Sequence, residues 1–224
     1  MKLSDINKNI DSIRLEMTSE KSIVTISSLD ESIESVFEND SPECKYITHF
    51  VIDACAVDEM GETIESIGFL KGTSIEAEIA FMDEYTFVEL CDMISGDLYR
   101  MAVAITKKNG QVKKSICPPE RNIMYIENLY VEEKYRGMGI GKYLLDNIGD
   151  LFLHTLNYSH HAFLLTPYPQ VKCGEHDLRD MESATQDDID RLVGFCKKAG
   201  YKYIKDSDYM YKIKADELFE LLGI

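Results

Sequence analysis

Residues 129–142 read Leu-Tyr-Val-Glu-Glu-Lys-Tyr-Arg-Gly-Met-Gly-Ile-Gly-Lys. The apolar, β-branched run that leads into them, residues 123–131, predicts a strand. After the glycines, apolar residues recur at helical spacing: Ile140, Tyr143, Leu144, Ile148, Leu151 and Phe152. Glycines let the main chain approach a ligand closely, and the first turn of a helix has N–H groups without intrahelical partners. This strand, turn and helix therefore predict a site for the phosphate groups of a ligand.

Two common phosphate loops do not fit the spacing. A P-loop reads Gly-x-x-x-x-Gly-Lys-Ser/Thr, but Arg136 stands where its first glycine is needed and Tyr143 where its hydroxyl is needed. A dinucleotide fingerprint reads Gly-x-Gly-x-x-Gly, but Lys142 takes the place of the third glycine after Gly137 and Gly139. Both of these sites are excluded.

The spacing that fits is Arg-x-x-Gly-x-Gly, formed by Arg136, Gly139 and Gly141 directly after the strand end Leu-Tyr-Val. This pattern resembles the acyl-CoA signature of the GNAT superfamily of N-acetyltransferases. The resemblance is specific over residues 123–152 and weaker over residues 161–213, where the order of strands and helices recurs. Before residue 123 it rests on element order alone.

The resemblance implies an α/β (α+β) fold, with a mixed, mostly antiparallel central sheet flanked by helices. The family sheet splays open between its fourth and fifth strands, here residues 123–131 and 161–166, and the gap receives the pantetheine arm. Acetyl-CoA would be the cosubstrate, with its pantetheine on the main chain of the strand end and its pyrophosphate on the N–H groups of the turn. The implied contact residues are Leu129, Tyr130, Val131, Arg136, Gly137, Met138, Gly139, Ile140 and Gly141.

Acetyl transfer to an amine requires a base. An alkyl ammonium holds its proton at neutral pH, and its release costs about 4 to 5 kcal/mol, from roughly 3.4 pKa units at about 1.36 kcal/mol each. Glu127 is the candidate base, because it interrupts an apolar strand just before the pantetheine-binding end. Strand alternation turns its neighbour Asn128 to the other face, unless a bulge intervenes. The alternative for Glu127 is a structural carboxylate at such a bulge or bound to a lysine.

The proton donor to the leaving thiolate is less well marked. In many family members a tyrosine donates it from a Phe-Tyr-x-x-x-Gly-Phe pattern, and residues 195–201 here read Phe-Cys-Lys-Lys-Ala-Gly-Tyr. The tyrosine position is Cys196. A thiol with a pKa of about 8.5 could donate, although a buried free cysteine is more often a core residue. Tyr168, Tyr201 or a water are the alternatives.

Composition favours a cytoplasmic protein without a metal. No apolar run reaches transmembrane length, and the first residues show no signal-peptide pattern. The six cysteines include no Cys-x-x-Cys pair, which argues against a disulfide framework or a structural zinc. The segment from Cys173 to His176 has no second pair of ligands at a suitable spacing, so we interpret it as loop.

The chain carries 24 basic and 40 acidic residues, a formal charge of −16. Lysine and arginine are absent from residues 22–44 and 72–99. Such acidity repels nucleic-acid backbones and attracts cations. The alternative is that these acidic residues are ordinary solvated surface residues that keep the protein soluble. We therefore expect no nucleic-acid or membrane partner, and a small-molecule or peptide amine as acceptor. An acidic helix over residues 83–99 is predicted to border the acceptor entrance, with Glu127 deeper.

The rest of the chain predicts a single domain over residues 1–224, acting as a monomer or homodimer. An N-terminal helical extension is expected over residues 1–21, from apolar residues at helical spacing between 4 and 20, and an acidic helical insertion over residues 74–106. Capping-box spacing at Ser28 predicts a helix that begins there and runs through Phe37. Further helices are predicted over 140–156, from 189 to Gly200 and over 215–222. Strands are predicted over residues 23–27, 46–57, 63–71, 161–166, 201–204 and 209–213.

Two other functions fit the same sequence. The first is an acyl-CoA-binding sensor or interaction module of the same fold without turnover, since the tyrosine is missing. The second is a transferase with a longer acyl or an aminoacyl donor.

Overall fold

A computed structural model of the chain describes residues 10–19, 23–25, 46–77, 85–117 and 121–214. Its strands are β1 (Ser12–Ser19), β2 (Ile23–Thr25), β3 (Ile47–Val57), β4 (Thr63–Ile75), β5 (Asn122–Val131), β6 (His160–Leu165), β7 (Gln170–Lys172), β8 (Leu178–Asp180), β9 (Lys202–Tyr203) and β10 (Met210–Ile213). Its helices are α1 (Phe87–Asp92), α2 (Gly96–Ile105), α3 (Ile140–Leu156) and α4 (Gln186–Lys198), with a 3₁₀ turn over Glu133–Tyr135.

Eight of these strands form one mixed sheet in the order β2-β1-β3-β4-β5-β6-β10-β9. All its neighbouring strands run antiparallel except β5 and β6, which are parallel and joined through α3. The strands β7 and β8 pair separately as a hairpin. This sheet confirms the predicted mixed, mostly antiparallel architecture.

Helices cover both faces of the sheet. On one face, Leu144, Ile148 and Phe152 of α3 pack with sheet residues and with Cys196 of α4. We call this cluster the α3-side core. On the opposite face, Leu90 of α1 and Met101 of α2 pack with Ile75, Ile123, Tyr125 and Leu164. We call this second cluster the α2-side core. An apolar core on each face fixes the sheet between two helical layers.

The sheet opens at one end between β5 and β6. The two strands pair only as far as Ile126 and Leu165, which are the last partners. Residues 127–131 continue along β4 up to Val131 but have no register partner in β6. The gap predicted between residues 123–131 and 161–166, the fourth and fifth strands of the family, is therefore confirmed between β5 and β6.

At its closed end the sheet buries a histidine. Nε2 of His160 lies 2.7 Å from Oγ of Ser74, and both residues are buried. The His160 ring stands edge-on to Phe152 at 5.0 Å. Burial lowers the pKa of His160 to about 3, with a smaller contribution from Lys214, because the charged imidazolium cannot be hydrated there.

The prediction of an N-terminal helix is wrong for Ser12–Ser19, which form β1. Leu15 and Met17 alternate with more exposed residues and enter the α3-side core. Antiparallel pairing with β3 along the whole of β1 stabilises this strand, although its apolar residues also fit helical spacing. Residues 1–9 and 20–22 lie outside the described part of the chain.

The single acidic helix predicted over residues 83–99 is two helices instead. The side chain of Thr86 caps α1, and that of Ser95 accepts a hydrogen bond from the N–H of Leu98 at the start of α2. A serine that bonds the backbone in this way favours a new helix start over continuation. Residues 83 and 84 lie outside the described residues, as do the helix predicted from Ser28 through Phe37 and the one predicted over 215–222.

Candidate active site

Two glycines shape the turn between β5 and α3. Gly137 has a φ of 79° and Gly139, the N-cap of α3, a φ of 88° with ψ near 0°. Residues with a side chain rarely adopt this left-handed backbone conformation, so glycine is the residue that fits. An added Cβ at either position would meet no atom within 4 Å, which leaves open space beside the turn.

The backbone N–H groups of this turn are free to bind a ligand. The first hydrogen bond of α3 runs from the N–H of Tyr143 to the carbonyl of Gly139, at 2.9 Å. Within the described residues, no acceptor lies against the N–H groups of residues 137–142. One charge at an exposed helix N-terminus gains only about 0.3 to 1 kcal/mol. Several such donors together are what tight binding of a diphosphate requires.

The turn is anchored on both sides. The Nε of Arg136 donates to the carbonyl of Val131 at 3.0 Å, which joins the signature arginine to the strand end. Tyr135 is fully buried and donates from its hydroxyl to Oε1 of Glu65 at 2.5 Å. Hydrogen bonds from Lys134 and Tyr135 lower the pKa of Glu65. These contacts hold the turn in place before any ligand binds.

The strand end presents its three residues to different sides. Leu129 and Val131 pack against the α3-side core, together with Met138 of the turn, and Ile140 is buried within it. Tyr130 lies on the opposite face, with its ring centroid 5.7 Å from that of Phe69. Since these side chains are engaged on the two faces, the main chain of residues 129–131 is what borders the gap.

Glu127 occupies a β-bulge at the mouth of the gap. Lys71 pairs with Asn128 and Gly72 with Ile126, so Glu127 is the extra residue of β5. A bulge locally re-aims side chains and often lies beside an active site. The Glu127 carboxylate lies on the face of Tyr125 and Thr73, directly after the last β5–β6 pair.

Two residues that the sequence did not single out, Thr73 and His49, are linked to Glu127 by hydrogen bonds. The hydroxyl of Thr73 donates to Oε1 of Glu127 at 2.6 Å. Nδ1 of His49 lies 3.0 Å from the same hydroxyl oxygen. The three side chains come from β5, β4 and β3 in turn, and Thr73 is fully buried. Sequence alone offered no signal for them, because the pairing of distant strands brings them together.

Residues 55–169, just over half of the chain, match the sequence model of the acetyltransferase (GNAT) family. This chain belongs to the GNAT family. Acetyl-CoA is the cosubstrate of GNAT acetyltransferases, and the matched residues include the whole of β5, the turn and the whole of α3. No curated protein matches the chain.

Several solved structures are similar to the chain at low identity. AtaT complexed with acetyl-methionyl-tRNAfMet is 12% identical, with 81% of this chain and 78% of that chain covered and a TM-score of 0.36. NAA60 of Arabidopsis thaliana in complex with acetyl-CoA is 18% identical, with 71% and 73% covered and a TM-score of 0.32. Nourseothricin acetyltransferase is 11% identical, with 95% of both chains covered and a TM-score of 0.31. The tRNA belongs to AtaT, and the absence of a nucleic-acid partner here stays a prediction.

Cys196, which the sequence resemblance sets at the position of the GNAT tyrosine, is buried in the α3-side core. Burial raises the pKa of its thiol to about 11. Tyr201, the alternative donor, is buried beside it, and burial raises the pKa of Tyr201 strongly. Within the described residues the Tyr201 hydroxyl has no hydrogen-bond partner. Tyr168, the other alternative, is exposed. The proton donor therefore stays a prediction.

The acidic side chains of α1 and α2 are partly engaged in the helices themselves. Glu89 forms a capping box with Thr86, and Asp97 pairs with Arg100. Asp92 is exposed. The two helices pack on the Tyr125 face of the sheet, which is also the face of Glu127. Their predicted place beside the acceptor entrance stays a prediction.

The hairpin of β7 and β8 was not predicted, because its sequence is polar and short. It contacts the sheet through four pairs: His176 with Asp53, Lys71 with Asp177, Lys172 with Glu132, and Asn128 with Gln170. The His176 ring also stands edge-on to Phe69 at 5.2 Å. The hairpin thus covers β3, β4 and β5 next to Glu127. These contacts give the segment from Cys173 to His176 a structural role.

Among the described residues, no group of three or more histidine, cysteine or acidic side chains is arranged to hold a metal ion. The five cysteines in the described ranges are all free. None of the helices within those ranges has the length and apolarity needed to cross a membrane.

Proposed function

We propose that this GNAT protein transfers the acetyl group of acetyl-CoA directly to a primary amine, which is cationic at neutral pH. The observation that carries the proposal is the position of the turn beside the open strand. A Cβ at Gly141 would lie 3.7 Å from Cγ2 of Val131, so the free N–H groups at the start of α3 adjoin the unpaired end of β5. A diphosphate and an extended amide-bearing arm fit this pair of features.

The chain's own groups would divide the work. The N–H groups of residues 137–142 would bind the diphosphate, and the main chain of residues 129–131 would hydrogen-bond the pantetheine. Acetyl-CoA supplies the thioester when bound. Glu127 would accept the ammonium proton and pass it to solvent. The amine nitrogen then bonds to the acyl carbon, the carbon–sulfur bond breaks, and the nitrogen loses its second proton, which balances the proton that the thiolate takes up.

The acceptor would approach Glu127 on the face between α1–α2 and the β7–β8 hairpin. The same proposal covers the whole chain as one domain, a monomeric or homodimeric state and a cytoplasmic location. A cationic acceptor is supported by the charge of −16, since acidic surfaces attract cations.

The test combines binding and turnover. Calorimetric titration with acetyl-CoA measures binding, and release of free CoA thiol is followed with polyamines, aminoglycosides, amino acids and peptides as acceptors. We expect saturable binding and turnover with at least one amine class. In Glu127→Gln, kcat at neutral pH should fall about a hundredfold or more, since general bases contribute about 10² to 10⁴. Binding without transfer to any amine contradicts the enzyme, and no binding contradicts the site.

A sensor that binds acyl-CoA without turnover is the second candidate, favoured by one observation. Cys196, at the position where the resemblance sets the GNAT tyrosine, lies buried, and burial raises the pKa of its thiol. A sensor would bind acetyl-CoA with an affinity insensitive to Glu127→Gln and would release no thiol in the presence of amines. The two candidates therefore differ in the turnover arm of the same experiment.

A further inference from the structure

Three side chains on adjacent strands form a hydrogen-bond chain that ends at Glu127. His49 of β3 is paired in register with Thr73 of β4, and Thr73 with Tyr125 of β5, two residues before Glu127. The Thr73 hydroxyl oxygen is 3.0 Å from Nδ1 of His49 and 2.6 Å from Oε1 of Glu127. The chain crosses three strands at the mouth of the β5–β6 gap.

The direction of the two hydrogen bonds follows from the groups involved. An ionised carboxylate has no proton to give, so Thr73 donates its single hydroxyl proton to Glu127. The threonine oxygen can then only accept from His49, which requires the proton of the imidazole on Nδ1. The chain therefore runs from His49 through Thr73 to Oε1 of Glu127.

The second carboxylate oxygen is left free. Within the described residues, no donor lies against Oε2 of Glu127. A carboxylate with one oxygen held and the other open has one orientation and one place to receive a proton. General bases gain their effect only in such a fixed geometry.

Burial stabilises the hydrogen-bond chain from His49 to Glu127. Thr73 has no exposed surface, whereas His49 and Glu127 are half-buried. A buried hydroxyl deprived of its partner is destabilising, so the Thr73–Glu127 bond resists rotation of the carboxylate. Thr48, the neighbour of His49, is equally buried, but within the described ranges its hydroxyl has no partner. Of these two buried threonines, only Thr73 has its hydroxyl hydrogen-bonded to side chains of the neighbouring strands.

We propose that Thr73 and His49 are positioning residues that fix the Glu127 carboxylate with Oε2 turned toward the acceptor amine. The inference rests on the proposed acetyl transfer. Thr73 holds Oε1, and His49 fixes the direction in which the Thr73 hydroxyl points. Neither residue touches the reacting atoms.

Four variants test this role in the full chain. Thr73→Val keeps the shape and removes the hydroxyl, Thr73→Ser keeps the hydroxyl, His49→Leu removes the donor, and Thr48→Val is the matched control. We expect Thr73→Val to lower kcat about ten- to a hundredfold, because small misplacement of a catalytic group costs up to about 10²-fold. The KM for acetyl-CoA should stay unchanged. Thr73→Ser should restore most of kcat, His49→Leu should show an intermediate loss, and Thr48→Val should keep the wild-type rate.

A double variant separates positioning from general support of the fold. In the Glu127→Gln background, Thr73→Val should cause little further loss, since two residues that act through one group are not additive. An undiminished loss in that background overturns the proposal. Equal kcat for Thr73→Val and wild type also overturns it, even when Glu127→Gln is impaired.

A measurement without substrate distinguishes this proposal from the enzyme activity. Nitrogen-15 spectra of the imidazole side chains report the tautomer of His49. In the wild type we expect the His49 ring to carry a proton on Nδ1. In Thr73→Val we expect this preference for Nδ1 to be lost. An imidazole with its proton on Nε2 and none on Nδ1 in the wild type overturns the hydrogen-bond chain. Absence of turnover with every amine overturns the proposed function, while the spectra still decide whether His49 donates to Thr73 in the hydrogen-bond chain.

Discussion

Gly72 of β4 lies so close to Tyr125 of β5 that a Cβ at position 72 would stand 2.4 Å from the Tyr125 carbonyl oxygen. The same Cβ would be 2.9 Å from Cζ of Phe50. Gly72 is also the residue at which the β4–β5 register shifts around Glu127. The missing side chain thus permits the close approach of the two strands beside the bulge.

Gly72→Ala should therefore displace β5 and misplace Glu127. We expect a loss of about 1 to 3 kcal/mol in the free energy of unfolding, typical of overpacking, and a lower kcat. Denaturant unfolding and thiol-release kinetics measure both. The control is Gly96→Ala at the start of α2, where a Cβ meets nothing within 4 Å and stability should be unchanged or slightly raised. Equal stability of the two variants would refute the account of the bulge.

Gly139→Ala should weaken the binding of acetyl-CoA. At a φ of 88° an alanine costs about 1 to 2 kcal/mol, so the N-cap of α3 should relax and turn its N–H groups away. The expected rise in Kd is about tenfold, since about 1.4 kcal/mol corresponds to tenfold. Gly61→Ala is the matched control, with a φ of 81°, open space around it and a place in the β3–β4 turn. It should lose similar stability and keep the affinity; equal Kd values for the two variants would argue against the turn as the binding site.

Cys196→Ala should keep kcat within about threefold of the wild type, because a thiol this deeply buried is a packing residue more often than an acid. The cavity left in the α3-side core should lower the melting temperature. Steady-state kinetics and thermal unfolding report the two effects. If Cys196→Ala lost tenfold in kcat while Cys196→Ser kept the rate, the side chain would instead be the proton donor.

Acid should destabilise the protein partly through His160. Its folded pKa, about 3, lies below the value of about 6.5 for an unfolded chain, so the unfolded state binds more protons in between. The stability that depends on neutral His160 is thus complete above about pH 6.5 and is lost as the pH falls toward 3. At pH 5 the loss is about 2 kcal/mol, at about 1.36 kcal/mol per pKa unit.

Denaturant unfolding at pH 7.5 and pH 5 measures this loss. His160→Gln should unfold with a smaller difference between the two pH values than the wild type. His154→Gln removes an exposed histidine of α3 and should keep the wild-type difference. The account of His160 fails if all three proteins lose stability equally.

Local signals were sufficient for the centre of the fold. The β5 strand, the turn from Arg136 to Gly141 and α3 are contiguous, and each follows from periodicity or glycine placement within a few residues. The same holds for β3 and β4, whose hairpin was predicted from alternating and β-branched runs. The gap beyond Ile126 came from the resemblance to GNAT proteins, because no residue pattern marks the place where two strands part.

Elements that depend on distant partners were missed. Met17 fits one face of a helix and one face of a strand equally well, and only pairing with β3 makes it part of β1. The β7–β8 hairpin has little apolar pattern of its own and is held by side chains such as Asp53, more than a hundred residues away in the chain. Glu127 was found as an interruption in an apolar run, whereas its partner Thr73 is 54 residues away. Tertiary pairing, which one sequence does not record, decided each of these cases.

We propose above all that free N–H groups at the start of α3 bind the diphosphate of acetyl-CoA. Titration of nitrogen-15-labelled protein with acetyl-CoA tests it, with the backbone amide signals of residues 137–142 as the readout. These signals should shift most strongly and saturate together with the calorimetric binding curve. Unchanged signals from these amides at full saturation would contradict it.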